Sequence, residues 1–161
     1  MTQTRSRPVR RQPPNRPKEA RPPEEVAAAL ETIALRVPST RIVVRRNARS
    51  FVVEGRGTQG LCWFVIGIDL RRARVEVHAE DVERHAGLAS LKAGEIDAVL
   101  RALIAGDVWL VATLDRRASR TRIRLREPGL SDWTAARYRC LLPRRPGIRR
   151  QRFSDYRNGD A

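Results

Sequence analysis

Hydrophobic positions along this chain follow two periods, and the switches between them mark the elements. Ile96, Val99, Leu100, Leu103 and Ile104 are spaced as one face of a 3.6-residue repeat, so the pattern predicts an amphipathic helix. Ser90 is its expected N-cap. Gly106 is its expected stop, because glycine accepts the left-handed conformation at little cost. Val108 to Leu114 then reads Val-Trp-Leu-Val-Ala-Thr-Leu, apolar at nearly every position, the mark of a strand inside a sheet. A shorter stripe, Val26, Leu30, Ile33, Ala34 and Val37, predicts a first helix. Pro22-Pro23-Glu24-Glu25 opens it, since proline and acidic side chains both suit the unpaired N–H groups of a helix start, and Pro38 ends it.

Between the helices the period changes to two. Arg41–Arg46, Ser50–Glu54, Leu61–Leu70 and Arg74–Glu80 are expected strands. Asn47-Ala48 and Asp69–Arg72 are the expected turns, and a Gly55 to Gly60 loop separates the middle pair. Asp81 to Ala89 reads as a loop. Beyond Leu114, Arg120–Glu127 is an expected strand, and Ser131 caps an expected final helix that runs to Leu142, with Trp133, Ala136, Cys140 and Leu141 as anchors. The order is therefore α-β-β-β-β-α-β-β-α. Its short connections predict an α+β fold, a mostly antiparallel sheet of about six strands with helices packed on one face. Trp63, Phe64 and Trp109 are expected in the core.

The ends read differently. Residues 1–23 hold six prolines and almost no large apolar side chains, so this segment is expected to be a disordered basic Pro/Arg-rich arm. Residues 24–142 form the expected globular domain, and 143–161 a basic, flexible tail. Charge sharpens this division. The chain of 161 residues carries a formal +15, unevenly spread. Residues 76–115 are net −5, with three basic and eight acidic side chains, whereas 116–152 are net +11, with thirteen basic and two acidic. No apolar run reaches the roughly 18 residues of a membrane-spanning helix. The two cysteines, Cys62 and Cys140, form no metal pattern and read as buried thiols, so a cytoplasmic location is expected.

The sharpest chemical pattern is Arg120-Thr-Arg122-Ile-Arg124-Leu-Arg126. In a strand all four arginines share one face, spaced about 6.6 Å apart, with Ile123 and Leu125 on the other. Flanked by Arg116 and Arg117, this ladder matches a phosphate backbone. The tail adds Arg144, Arg145, Arg149 and Arg150, with Phe153 and Tyr156 able to stack on bases, and the amino-terminal arm adds Arg7, Arg10 and Arg11. The expected function is non-enzymatic binding of DNA or RNA, with no cofactor, no metal and no catalytic residue. The alternative is an assembly module of a bacterial or mobile-element system, its basic arms gripping an acidic protein partner. A third reading is a metal-dependent nuclease, drawn from Asp69, Glu76 and His78 beside Glu80, Asp81, Glu83 and His85. Helix, strands, helix, strand resembles a common nuclease core at the level of element order. The chain departs from that pattern twice: Ile68 stands where the pattern has a proline before the aspartate, and His78 stands where it has a lysine two residues past the glutamate.

Overall fold

Pro22 and Pro23 start the first helix, α1 (Pro23–Leu35), and the Pro22 carbonyl accepts the N–H groups of Glu25 and Val26 at 3.0 and 3.1 Å. The computed structural model describes residues 21–57, 60–80, 82–114, 118–125, 133–139 and 147–158, and for most of 110–149 it describes the backbone and its pairing. Val26, Ala27, Leu30, Ile33 and Ala34 form the buried stripe of α1. The helix stops short of Val37, because a residue before proline is pushed out of the helical region.

The next five strands run as an antiparallel meander, β1 (Ile42–Arg46), β2 (Ser50–Gly55), β3 (Phe64–Asp69), β4 (Arg74–Ala79) and β5 (Val82–Gly87), paired in chain order. Their turns rest on short polar side chains. Asn47 Oδ1 accepts the N–H groups of Arg49 and Ser50, each at 2.8 Å. Asp69 Oδ1 does the same for Arg71 and Arg72 at 3.0 and 2.9 Å. Such side chains imitate a backbone turn. One face of this sheet is apolar in rows: Phe51, Ile68 and Val75 align across three strands, and Val53, Ile66 and Val77 beside them. That face joins α1 and α2 (Glu95–Ala105) in one continuous core. The helices thus cover one side of a mostly antiparallel sheet, an α+β fold.

Two details of α2 differ from the sequence expectation. Ser90 ends a 3-10 turn over Leu88–Ser90, its hydroxyl donating to the Gly87 carbonyl at 2.7 Å, and does not cap α2. The helix begins after Gly94, which adopts φ +76°, and the Glu95 carboxylate accepts the Lys92 N–H at 2.9 Å. Gly106 ends α2 as expected, at φ +68°. It has a second reason to be glycine: a Cβ there would lie 2.6 Å from the Ser154 carbonyl oxygen.

Four later strands form a second antiparallel sheet, ordered β8-β7-β6-β9, from β6 (Val108–Leu114), β7 (Ala118–Leu125), β8 (Trp133–Arg139) and β9 (Gly147–Arg152). So the expected single sheet of about six strands is two sheets, and three local expectations change. The segment from 81 to 89 contains strand β5, whose alternation is hidden by the inward Arg84, which reaches Glu95 at 3.2 Å. The helix expected from Ser131 is corrected to strand β8. Trp-Thr-Ala-Ala-Arg-Tyr-Arg is as compatible with a strand as with a helix, and the open edge of β7 decides by offering a hydrogen-bonding partner. Within the segment expected as a tail, Gly147–Arg152 forms β9 along the other edge of β6. Trp63 is also displaced from its expected core position: it precedes β3 and is 38% exposed, whereas Phe64 beside it is fully buried.

Tyr156 closes the structure. It is fully buried, its ring edge-on to Phe64 at 5.7 Å, and its hydroxyl donates to the Cys62 carbonyl at 2.5 Å. Burial pushes the Tyr156 phenol well above its ordinary 10.0, helped by Cys62 and Glu80 and opposed by Arg41. Burial likewise pushes the Cys62 thiol well above its ordinary 9.0, with Glu80 adding to the rise. Both groups therefore hold their protons in the folded chain at pH values where the unfolded chain has lost them. This contribution is fully present below the ordinary thiol value and is lost as pH rises above it. Two outcomes are expected in urea denaturation. Tyr156→Phe lowers stability by about 1–3 kcal/mol, the cost of leaving a buried carbonyl unpaired. The native midpoint falls as pH rises above about 9, and in Cys62→Ala the fall begins nearer the ordinary phenol value of 10.0.

Candidate nucleic-acid interface

Directly paired positions of an antiparallel sheet lie on the same face, as do alternate positions along each strand. In the second sheet these rules act on an arginine-rich sequence. On β7, positions 120, 122 and 124 pair with Thr113, Val111 and Trp109 of β6. On the far side of β6, Val111 and Trp109 pair with Arg150 and Arg152 of β9. Arg120 also pairs with Arg137 of β8. One face of the four strands therefore carries Arg120, Arg122, Arg124, Arg137, Arg150 and Arg152 at its register positions, around Trp109.

The described side chains at the β9 side bear on how open this face is. Arg150 and Arg152 are exposed and Trp109 is half-buried. The Arg152 guanidinium lies over the indole ring of Trp109, 4.4 Å from its centroid. That contact sets an exposed guanidinium over an aromatic surface. Val108, one residue before Trp109, is fully buried, so β6 turns its next position into the core.

Of the residues expected from the sequence to contact nucleic acid, Arg120, Arg122 and Arg124 fall on this face by register. The two tail arginines split: Arg150 lies on it, and Arg149, paired with Ala112, lies on the opposite face. Arg116, Arg117, Arg126, Arg144 and Arg145 lie outside the described residues, as do Arg7, Arg10 and Arg11 and the second cysteine, Cys140. Three members of the face depart from the sequence expectation, which places Arg137 in a helix, Arg152 in an irregular tail and Trp109 in the core. The alternation in Arg150-Gln-Arg152 is the signal for β9, visible once that segment is read as a strand. Tyr156, expected to be free to stack on a base, is a core residue.

The first sheet presents a second basic surface. Its face away from the helices contains a hollow of about 690 Å³, floored by Val52 and Gly67 and rimmed by Arg49, Arg71, Arg72 and Arg74. All four arginines are exposed, and Arg72 approaches Asp69 at 3.9 Å. Asp69, expected alongside Glu76 and His78 as a metal ligand, is engaged by the turn N–H groups and aligns with Ser50 and Arg74 at the end of the sheet. The hollow exists because Gly67 lacks a side chain at the centre of the face. A Cβ there would be 4.0 Å from the Glu76 carbonyl, an ordinary contact. Gly67→Ala is therefore expected to raise stability by about 0.4–1 kcal/mol by restricting the unfolded chain, measured as an increased urea midpoint with an unchanged slope.

No helix among the described residues is long and apolar enough to cross a membrane. No protein-family model matches the chain, and neither the curated proteins nor the solved structures searched contain a significant match.

Proposed function

We propose that this protein binds DNA or RNA, without catalysing a reaction, through phosphate contacts on the arginine-bearing face of its second sheet. One observation carries the reading: register aligns Arg120, Arg122 and Arg124 with Arg137, Arg150 and Arg152 across four strands. Arg120 directly opposite Arg137 is a like-charge pair, which destabilises a sheet at a cost that an anionic partner would relieve. Same-face neighbours about 6.6 Å apart along a strand give a positive surface that is extended in two directions, suited to a polyanion. Trp109, half-buried beneath Arg152, supplies an aromatic surface for a base or sugar within that row. The local charge agrees, with net +11 over residues 116–152.

Binding of this kind releases counterions, so affinity should fall steeply as salt rises. The test is fluorescence anisotropy with labelled single-stranded and duplex DNA and RNA across a salt series. The triple variant Arg120→Gln/Arg122→Gln/Arg124→Gln is expected to weaken binding, and to flatten the logarithmic salt slope by about 0.7–0.9 for each phosphate that is no longer neutralised. An unchanged affinity and slope in that variant would remove this face from the interface. Native binding no tighter than that of a neutral domain would overturn the function and favour an acidic protein partner.

A further inference from the structure

The only two histidines of the chain stand side by side on neighbouring strands, each two residues after a glutamate. β4 carries Glu76-Val77-His78 and β5 carries Glu83-Arg84-His85. Residues i and i+2 of a strand project from one face, so each triplet sets a carboxylate beside an imidazole. The antiparallel register then crosses the two triplets: Glu76 pairs with His85, and His78 pairs with Glu83. The result is a four-cornered group, carboxylate and imidazole alternating, on the sheet face away from the helices.

Its donor atoms converge. His78 Nε2 lies 2.5 Å from Glu76 Oε1, and His85 Nε2 lies 3.9 Å from the same oxygen. His85 Nε2 also contacts Glu83 Oε1. The ligand atoms of Glu76, Glu83 and His85 all lie within 4.8 Å of one another. The two imidazole rings stand nearly perpendicular, at 89°, with centroids 6.1 Å apart.

We propose that Glu76, His78, Glu83 and His85 form a binding site for a divalent transition-metal ion of the zinc class. The proposal is independent of the nucleic-acid reading, which uses the other sheet. Zinc takes four nitrogen, oxygen or sulfur ligands at about 2.0–2.2 Å, which sets tetrahedral donor–donor spacings near ~3.3 Å. The contacts of Glu76 Oε1 with His78 Nε2, at 2.5 Å, and with His85 Nε2, at 3.9 Å, lie on either side of that value. Two imidazoles also select the metal, because magnesium and calcium prefer oxygen donors and imidazole suits zinc, copper, iron and nickel. Two carboxylates balance the charge of the ion. Glu76 and His85 also border the hollow beside Arg49 and Arg74, so an ion reaches the site directly from solvent.

The position gives the ion a structural consequence. The two shortest carboxylate–imidazole contacts lie within single strands and so do little to hold β5 against β4. β5 is an edge strand, with Val82 as its one large apolar side chain. An ion shared by both triplets would clamp that edge.

The experiment uses the full chain without a histidine tag. Zn²⁺ is titrated calorimetrically, and Co²⁺ serves as a spectroscopic probe of coordination geometry. Expected results are one ion per chain, a tetrahedral-type Co²⁺ spectrum, a raised Tm with Zn²⁺, and slower hydrogen exchange over residues 82–87. His78→Gln/His85→Gln is expected to lower zinc affinity by at least about 100-fold, more than loss of an outer-shell partner would. Glu76→Gln/Glu83→Gln should weaken binding and alter the Co²⁺ spectrum. Glu54→Gln, on the same sheet face but paired with Arg45, should leave both unchanged. The metal-free Tm of each variant establishes that it is folded. Equal zinc affinity in the native chain and the double-histidine variant overturns the site, as does a Co²⁺ spectrum unaltered by the double-glutamate change.

Discussion

Tyr156 enters the core four residues after β9 ends, and with it the chain returns from the second sheet to the first. Its ring meets Phe64 of β3, and its hydroxyl meets the Cys62 carbonyl just before that strand. The same return brings Ser154 N–H to the Gly60 carbonyl at 2.9 Å, and lays the Phe153–Ser154 backbone against Gly106 at the end of α2. A buried phenol needs an acceptor, and a carbonyl leading into a strand needs a donor. Each satisfies the other, so the approach to β3 and the end of the chain specify one another. Because β9 is hydrogen-bonded to β6, fixing Tyr156 also fixes the edge of the second sheet.

That closure explains how the polar groups are distributed. Helices and Tyr156 cover the inward face of the first sheet, where nearly every position is apolar. The outward face mixes Val43, Val52 and Val65 with Arg, Glu, His and Asp side chains in its register rows. In the second sheet the two alternations divide at β6, where Val108 points into the core and Trp109 lies under Arg152. Charge that would oppose folding in a core is thereby kept to the faces that alternate with it. The two candidate sites follow from this sorting. The first proposal rests on arginines at register positions of one sheet face and the second on imidazole and carboxylate donors of the other sheet.

Much of the fold was legible because its signals are local. Asn47 and Asp69 announce their hairpins through side-chain hydrogen bonds to the next two or three residues, and Gly106 announces the end of α2. β5 was not legible, because Arg84 occupies an inward position, where it meets Glu95 in a different element. β8 resembles a helix in sequence for a related reason: its few apolar residues fit both periods, and the deciding factor is an unpaired edge of β7. The arginine ladder was visible as a period-two pattern. Its extension through Arg137, Arg150 and Arg152 was not, because it depends on which strands lie beside it.

The sequence by itself determined the faces. Period-two spacing commits Arg120, Arg122 and Arg124 to one side of a strand, and commits each glutamate–histidine pair to another, whatever the strands later join. Tertiary structure alone decided the neighbours: Glu76 across from His85, Arg120 across from Arg137, and β9 beside β6. The reason is physical. Side-chain direction follows from backbone geometry over two residues. Strand pairing depends on hydrogen-bonding partners and burial contributed by segments far away in the chain, and no local pattern encodes which of them will meet.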